Sequence, residues 1–116
     1  MLKSEIEVEV PFHHCDPMGV TWHGCYVRYL ETARSALLNK IGYNFRQMTA
    51  SGYAWPIVDL RMKYVQTTTF GQRLIVRAEL EEYENRLKIA YLIEDRASGE
   101  IVTKASTTQV AVDQAR

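Results

Sequence analysis

The stretch that decides the fold of this chain is Asp16-Pro17-Met18-Gly19-Val20-Thr21-Trp22-His23. Its Pro17 and Gly19 interrupt regular secondary structure. The residues before it follow one hydrophobic period, and the residues after it follow another. The stretch therefore predicts a turn that leads the chain from a strand into a helix.

The segment before the turn alternates between acidic and apolar side chains. One set is Glu5, Glu7 and Glu9, and the other is Ile6, Val8, Val10 and, past Pro11, Phe12. A period of two with one acidic face is typical of a strand that buries its other face. We expect the first element to be such a strand.

After the turn, from about His23 to Ile41, the apolar residues recur at helical steps. They are Tyr26, Leu30, Ala33, Leu37 and Ile41. Steps of three and four residues place them on one stripe of a helix. We expect Thr21 to be the N-cap of this helix and Gly42 to end it. Residues 43–52 are polar and predict at most one short helical turn.

The rest of the chain predicts four strands. Their approximate bounds are 58–64, 74–81, 87–94 and 101–112. The connections between them are too short for parallel crossovers, so the strands should be antiparallel. The predicted fold class is α+β, with one long helix wrapped by a curved five-stranded sheet. One helix covers only one face of such a sheet, which favours a second subunit on the other face or at an edge.

Composition excludes several classes of function. The chain has 116 residues, which suits a single domain over residues 1–116, and 14 basic residues balance 14 acidic ones. This balance gives no electrostatic case for nucleic acid or an anionic membrane. Two cysteines are too few for a disulfide framework, and no apolar run is long enough to span a bilayer. With no signal-peptide pattern at the N-terminus, we expect a cytoplasmic protein.

The junction between turn and helix also favours a chemistry. Asp16 lies seven residues before His23, which would place its carboxylate near the free amides of a helix N-terminus. Such amides stabilise a developing oxyanion, while the carboxylate attacks a carbonyl or activates water against it. The arrangement favours acyl transfer, above all thioester hydrolysis. The alternative is that Asp16 only starts the turn, as Asp-Pro often does.

Two other chemistries are weaker alternatives. The residues His13, His14, Cys15, Asp16 and His23 fit no common zinc spacing, and neighbouring residues of an extended chain point to opposite faces, so we expect no metal. Cys25 lies in the first helical turn, where a Cys-His nucleophile with His23 is conceivable. A small buried residue is the favoured interpretation of Cys25. Among the aromatic residues, Trp22, Tyr53 and Trp55 would line an acyl pocket or simply fill the core.

The chain as a whole resembles the hotdog-fold thioesterases, in particular the 4-hydroxybenzoyl-CoA thioesterase and YbgC-like branch. The likeness rests on the turn quoted above and on Tyr26-Val27-Arg28-Tyr29-Leu30-Glu31-Thr32-Ala33-Arg34. The family pattern is an Asp, a Gly three residues on, an aromatic residue or His at the helix start, and Tyr-x-x-x-x-Glu-x-Ala-Arg. The match extends over the predicted order of the elements.

The resemblance implies roles for particular residues. Asp16 matches the catalytic carboxylate, and His23 matches the residue whose backbone N–H polarises the thioester and whose imidazole is implicated in YbgC-like members. Gly19 matches the glycine that lets the loop pass close to substrate, and we expect Trp22 and Tyr26 to contact substrate as well. Glu31 is interpreted as a supporting residue or a partner of Arg34.

The chain departs from the family at two places. Phe12 stands where several YbgC-like members have a tyrosine, so a hydroxyl is missing there. The segment Thr67-Thr68-Thr69-Phe70-Gly71-Gln72 replaces the family's usual Pro-Ala followed by Gly-Asp or Asp-Asp. The second departure should affect a turn more than the chemistry.

The expected function is hydrolysis of an acyl-CoA or acyl-carrier-protein thioester by a homodimer or homotetramer. No cofactor is expected beyond the coenzyme A of the substrate. In such an oligomer one chain would give Asp16 and His23, and the other would give pocket walls. A hotdog protein that binds or assembles without turnover is the alternative, and a dehydratase is disfavoured because its His-x-x-Gly-Pro helix signature is missing.

Overall fold

A computed structural model describes residues 2–42, 52–84 and 86–113, and in this part of the chain one long helix packs against a five-stranded sheet. The elements are β1 (Lys3–Glu9), α1 (Gly24–Lys40), β2 (Tyr53–Ala54), β3 (Ile57–Tyr64), β4 (Arg73–Glu82), β5 (Leu87–Asp95), β6 (Ile101–Gln109) and β7 (Val112–Asp113). The large sheet has the order β1-β4-β5-β6-β3, and β2 pairs separately with β7. Every pairing is antiparallel, which confirms the predicted hotdog arrangement.

The core lies between α1 and the sheet. The helix contributes the buried stripe Cys25, Tyr26, Tyr29, Leu30, Ala33, Leu37 and Leu38, and the sheet contributes mainly Leu74, Val76, Ala78, Ile89, Tyr91, Ile93 and Val102. Burial of each large aliphatic side chain stabilises the fold by about 1.5–3 kcal/mol. The helical stripe predicted from three- and four-residue steps is therefore the packing face, and Ile41 extends it with partial burial.

The start of the helix differs from the prediction. Thr21 is not the N-cap; that position belongs to His23, which makes no side-chain capping bond. The Thr21 hydroxyl is buried and donates instead to the Thr68 carbonyl oxygen over 3.2 Å. At the other end, Gly42 has a φ of +74° and its N–H donates to the Asn39 carbonyl oxygen, as expected for a glycine that ends a helix.

Two strand predictions also need correction. Phe12 does not continue the alternation of β1; it begins a short 3₁₀ turn, Phe12–His14, and its side chain is 75% exposed. The last long strand ends at Gln109 rather than near Val112, and the chain then pairs with β2. The short helical turn expected within residues 43–52 lies almost wholly outside the described residues.

Strand β3 is an edge of the large sheet and remains apolar at its surface. Its Val58 is 58% exposed and its Leu60 is 44% exposed. The helix packs over β1 and β4, at the opposite side of the sheet. Within the described chain, Val58 and Leu60 are therefore left only partly covered. No helix of the described residues has the length and apolarity needed to cross a membrane.

Candidate active site

The loop that carries Asp16 is closed by its own backbone. The Asp16 N–H donates to the Val20 carbonyl oxygen over 2.9 Å, and the Gly19 N–H donates back to the Asp16 carbonyl oxygen over 2.9 Å. Gly19 has a φ of +81°, a conformation that costs a residue with a Cβ atom about 1–2 kcal/mol. The sequence prediction of a tight turn at Gly19 is thus confirmed, and its reason is backbone conformation.

The Asp16 carboxylate is half-buried and takes part in this turn. Its Oδ1 accepts a hydrogen bond from the Met18 N–H over 2.9 Å. This bond holds one carboxylate oxygen and fixes the side-chain torsion, so that Oδ2 is presented in a defined direction. The turn role and the catalytic role of Asp16 are therefore compatible, since they use different oxygens.

The helix N-terminus follows directly. The first helical amides to find backbone acceptors are those of Cys25, which donates to Trp22, and Tyr26, which donates to His23. The amides of His23 and Gly24 come before them and have no acceptor among the described residues. Such leading amides carry the positive end of the helix dipole and can hold a developing oxyanion.

Trp22 covers the first residue of the helix. A Cβ atom placed on Gly24 would lie only 2.2 Å from the Trp22 ring, so the indole packs directly on the glycine. The Trp22 ring is 53% exposed and its centroid lies 5.3 Å from that of His23. No pattern in the sequence predicted that residue 24 must be a glycine. The requirement comes from the Trp22 indole, which leaves no room for a Cβ atom at this position.

A cavity of about 190 Å³ opens beside the helix N-terminus. Its lining consists of Thr21, His23, Tyr26, Tyr64, Val65, Gln66 and Thr67. Of the five residues predicted for the site, the structure places His23 and Tyr26 at this cavity, whereas Asp16, Gly19 and Trp22 are not among its lining residues. Tyr64 contacts the rings of both His23 and Tyr26, a role that was not predicted because in the sequence Tyr64 is only one member of an alternating strand.

The buried hydroxyls of Thr21, Thr68 and Tyr26 form a hydrogen-bonded chain next to this cavity. Thr68 donates from Oγ1 to Thr21 Oγ1 over 2.6 Å, and Thr21 donates to the Thr68 carbonyl oxygen. The single hydroxyl proton of Thr68 is thereby used. Tyr26 must then donate its own proton to Thr68 Oγ1 over their 2.9 Å contact. Thr68 falls in the segment that departs from the family pattern, and its role was not predicted.

His14 and Tyr29 form a second polar contact beside the loop. His14 Nδ1 lies 2.7 Å from the Tyr29 hydroxyl. Burial is the main cause that raises the pKa of Tyr29 to about 12, so this hydroxyl keeps its proton. The pKa of His14 is lowered, first by burial and then by His13 and Arg28. A neutral imidazole whose Nδ1 accepts a hydrogen bond from the Tyr29 hydroxyl satisfies both groups.

The remaining candidates lie as follows. Cys25 is buried, and its thiol donates weakly to the His14 carbonyl oxygen over 3.9 Å, which agrees with the interpretation of Cys25 as a packing residue. No group of three or more metal-ligating side chains occurs within the described ranges. Glu31 forms an ion pair with Arg34, as predicted. Tyr53 and Trp55 do not line the cavity at the helix N-terminus.

Comparison with known proteins gives consistent matches. Residues 10–116 match the family model "Thioesterase-like superfamily". The chain is 35% identical over 113 residues to "Putative esterase sll0410" of Synechocystis sp., covering 97% of this chain and 68% of that protein. It is 30% identical to "Putative acyl-CoA thioesterase YneP" of Bacillus subtilis, covering 96% of this chain and 80% of that protein. The crystal structure of the DHNA-CoA thioesterase from Staphylococcus aureus superposes with a TM-score of 0.88 at 29% identity, over 98% of this chain and 76% of that one.

Proposed function

Because the chain belongs to the thioesterase-like superfamily, it is a thioester hydrolase, and we propose that Asp16 is its catalytic carboxylate. The substrate is an acyl-CoA thioester, which is cleaved to the free acid and coenzyme A. One observation carries the assignment of Asp16: the loop that fixes its Oδ1 on the Met18 amide runs directly into the amides of His23 and Gly24, which have no acceptor among the described residues. A nucleophile or base and an oxyanion site therefore belong to one junction between loop and helix.

Catalysis follows from this geometry in one of two ways. As a general base, Asp16 takes a proton from water while the water oxygen attacks the thioester carbonyl carbon. As a nucleophile, Asp16 forms a mixed anhydride that water then hydrolyses. In both cases the carbonyl oxygen becomes an oxyanion that the amides at His23 and Gly24 stabilise, the C–S bond breaks, and the thiolate leaves and is protonated.

The other predicted residues support this reaction. Gly19 allows the turn that presents the carboxylate, and Tyr26 and His23 form walls of the cavity beside the helix N-terminus. Trp22 lies on Gly24, and its indole would help to exclude water from the first helical amides once substrate is bound. Removal of water strengthens a hydrogen bond to a developing oxyanion. These contacts support roles for Gly19, Trp22 and Tyr26 in binding the substrate.

The assembly is proposed to be a homodimer or homotetramer. Within the described chain, the edge strand β3 leaves the apolar side chains of Val58 and Leu60 exposed. A second copy placed there would bury these side chains and complete the wall of the cavity at Tyr64.

We further propose that residues 1–116 form a single domain and that the reaction uses no cofactor besides the coenzyme A of the substrate. Two free cysteines support a reducing cytoplasm as the location.

The proposal is tested by thiol release from a panel of aromatic, short-chain and long-chain acyl-CoA and acyl-carrier-protein thioesters. The purified chain should release free thiol continuously from at least one member of the panel. The Asp16→Ala variant, folded by circular dichroism, should bind that thioester without releasing thiol. Binding by the parent with no turnover on any thioester would instead identify a binding or assembly protein.

A further inference from the structure

His14 connects three parts of the molecule through two of its atoms. Its ring shares a hydrogen bond with the Tyr29 hydroxyl in the second turn of α1. Its carbonyl oxygen accepts the Trp22 N–H over 2.8 Å, at the far end of the loop. One residue thus ties the beginning of the Asp16 loop both to the loop's end and to the body of the helix.

Other contacts of the loop join it to a part of the fold outside α1. The Thr21 N–H donates to the Thr68 carbonyl oxygen over 2.7 Å, and Val20 forms a β-bridge with Thr69. These bonds fasten the exit of the loop to the segment that follows β3. Among the side-chain hydrogen bonds of the described residues, two join the entry of the loop to α1: the His14–Tyr29 bond over 2.7 Å and the weaker bond of the Cys25 thiol to the His14 carbonyl oxygen over 3.9 Å.

From this arrangement we propose that His14 and Tyr29 are a positioning pair, which holds the entry of the Asp16 loop against α1 so that the carboxylate and the amides of His23 and Gly24 face one thioester carbonyl. The proposal rests on the catalytic role proposed for Asp16. Neither residue contacts the reacting atoms; the pair acts through Asp16, two residues after His14 along the chain.

The physical reason is that the reaction requires short and well-defined distances between the reacting groups. A carboxylate oxygen must reach the carbonyl carbon while the carbonyl oxygen stays on the helix amides, and a misplacement of about 1 Å can cost a hundredfold in rate. The helix carries the amides, while the loop carries the carboxylate. A bond between the loop entry and the helix therefore sets the distance between the two halves of the site.

The first test compares His14→Ala, Tyr29→Phe and the double variant with the parent in thioester hydrolysis. Tyr29→Phe keeps the buried ring and removes only the hydroxyl. We expect each single change to lower kcat by about tenfold or more with little change in KM, because binding of the coenzyme A moiety does not depend on the pair. The double variant should be no slower than the slower single variant, since the two groups act as one unit.

Two further variants separate positioning from plain stability. His14→Asn places a polar atom near the position of Nδ1 and should recover most of the lost kcat. Tyr91→Phe is the matched control, because Tyr91 is equally buried and its hydroxyl contacts Thr107 Oγ1 over 2.9 Å on the sheet side of the core. It should lower the unfolding midpoint as Tyr29→Phe does, yet leave kcat within about twofold of the parent.

The same changes in an Asp16→Asn background identify what the pair acts through. There the His14 and Tyr29 changes should cost nothing further. Additive losses, equal losses in the Asp16→Asn background, or singles with parental kcat would each overturn the positioning pair while leaving Asp16 as the catalytic residue. An inactive parent or a fully active Asp16→Asn enzyme would instead contradict the proposed function. Because the positioning pair rests on that function, it would be contradicted as well.

Discussion

The Met18 backbone amide donates to Oδ1 of Asp16 over 2.9 Å, so the carboxylate of the loop is held by its own turn. A side chain fixed at one oxygen loses little further entropy when its other oxygen meets a substrate. The same bond makes the site easy to examine, because an asparagine carbonyl oxygen can accept the Met18 N–H equally well. Shape and charge at this position can therefore be changed separately.

The first prediction concerns this charge. Asp16→Asn should keep the turn and the fold but lower kcat by about a hundredfold or more, while KM moves little. Asp16→Glu should also be poor, because one added methylene displaces the attacking oxygen. Steady-state kinetics on a thioester hydrolysed by the parent measures both. A folded Asp16→Asn enzyme with parental turnover would reduce Asp16 to a turn residue.

A second prediction uses two glycines with similar backbone conformations. Gly19 has a φ of +81° and Gly99 one of +74°, and a Cβ at either would meet no atom within 4 Å. Replacement by alanine should therefore destabilise both variants similarly, by about 1–2 kcal/mol in urea unfolding. Only Gly19→Ala should also lose activity, because only that turn carries the carboxylate. Equal kcat values for the two variants would show that turnover tolerates distortion of the loop.

The third prediction addresses cysteine and metal chemistry. Cys25→Ser should retain a thioesterase kcat within about tenfold of the parent, since the thiol serves packing and a weak bond to the His14 carbonyl oxygen. Incubation with a chelator should leave the rate unchanged. Loss of all activity in Cys25→Ser, with the fold intact, would make the thiol the nucleophile, and loss on chelation would require a metal.

The fourth prediction concerns assembly. Sedimentation at micromolar protein should show a dimer or tetramer and no species of 13.4 kDa. Leu60→Lys places a charge on the exposed edge strand β3 and should produce monomers that have lost most of their activity. Tyr83→Lys is the control, because Tyr83 is 68% exposed in the turn after β4, and β5 and β6 separate β4 from β3 in the sheet. If both variants assemble like the parent, the interface lies elsewhere.

The fifth prediction is a loss of stability at alkaline pH. Burial is the main cause that raises the pKa values of Tyr29 and Tyr91 to about 12, whereas a tyrosine in the unfolded chain titrates near 10. Between these values the unfolded chain binds fewer protons than the folded chain, so the free energy of unfolding falls as pH rises. Urea midpoints at about pH 9 and about pH 11 should differ for this reason, and Tyr29→Phe and Tyr91→Phe should each reduce the difference.

The sequence by itself determined the order of α1 and the five strands of the large sheet, and the face that α1 buries. Alternation at β1, β4 and β5 and helical spacing from Tyr26 to Leu37 are local patterns, and each reports which side chains an element can bury. The turn at Gly19 was also predictable, because its chemistry lies in adjacent residues. The likeness to a known family added the role proposed for Asp16.

Tertiary structure alone decided what surrounds the Asp16 loop. Thr21 was predicted as a helix cap from its place beside the helix, but it bonds Thr68, 47 residues away. Tyr64 reaches the cavity from a strand, and His14 meets Tyr29 from across the loop. Hydrogen bonds between residues so far apart depend on how the elements pack, and no local period in the sequence records which donor will meet which acceptor.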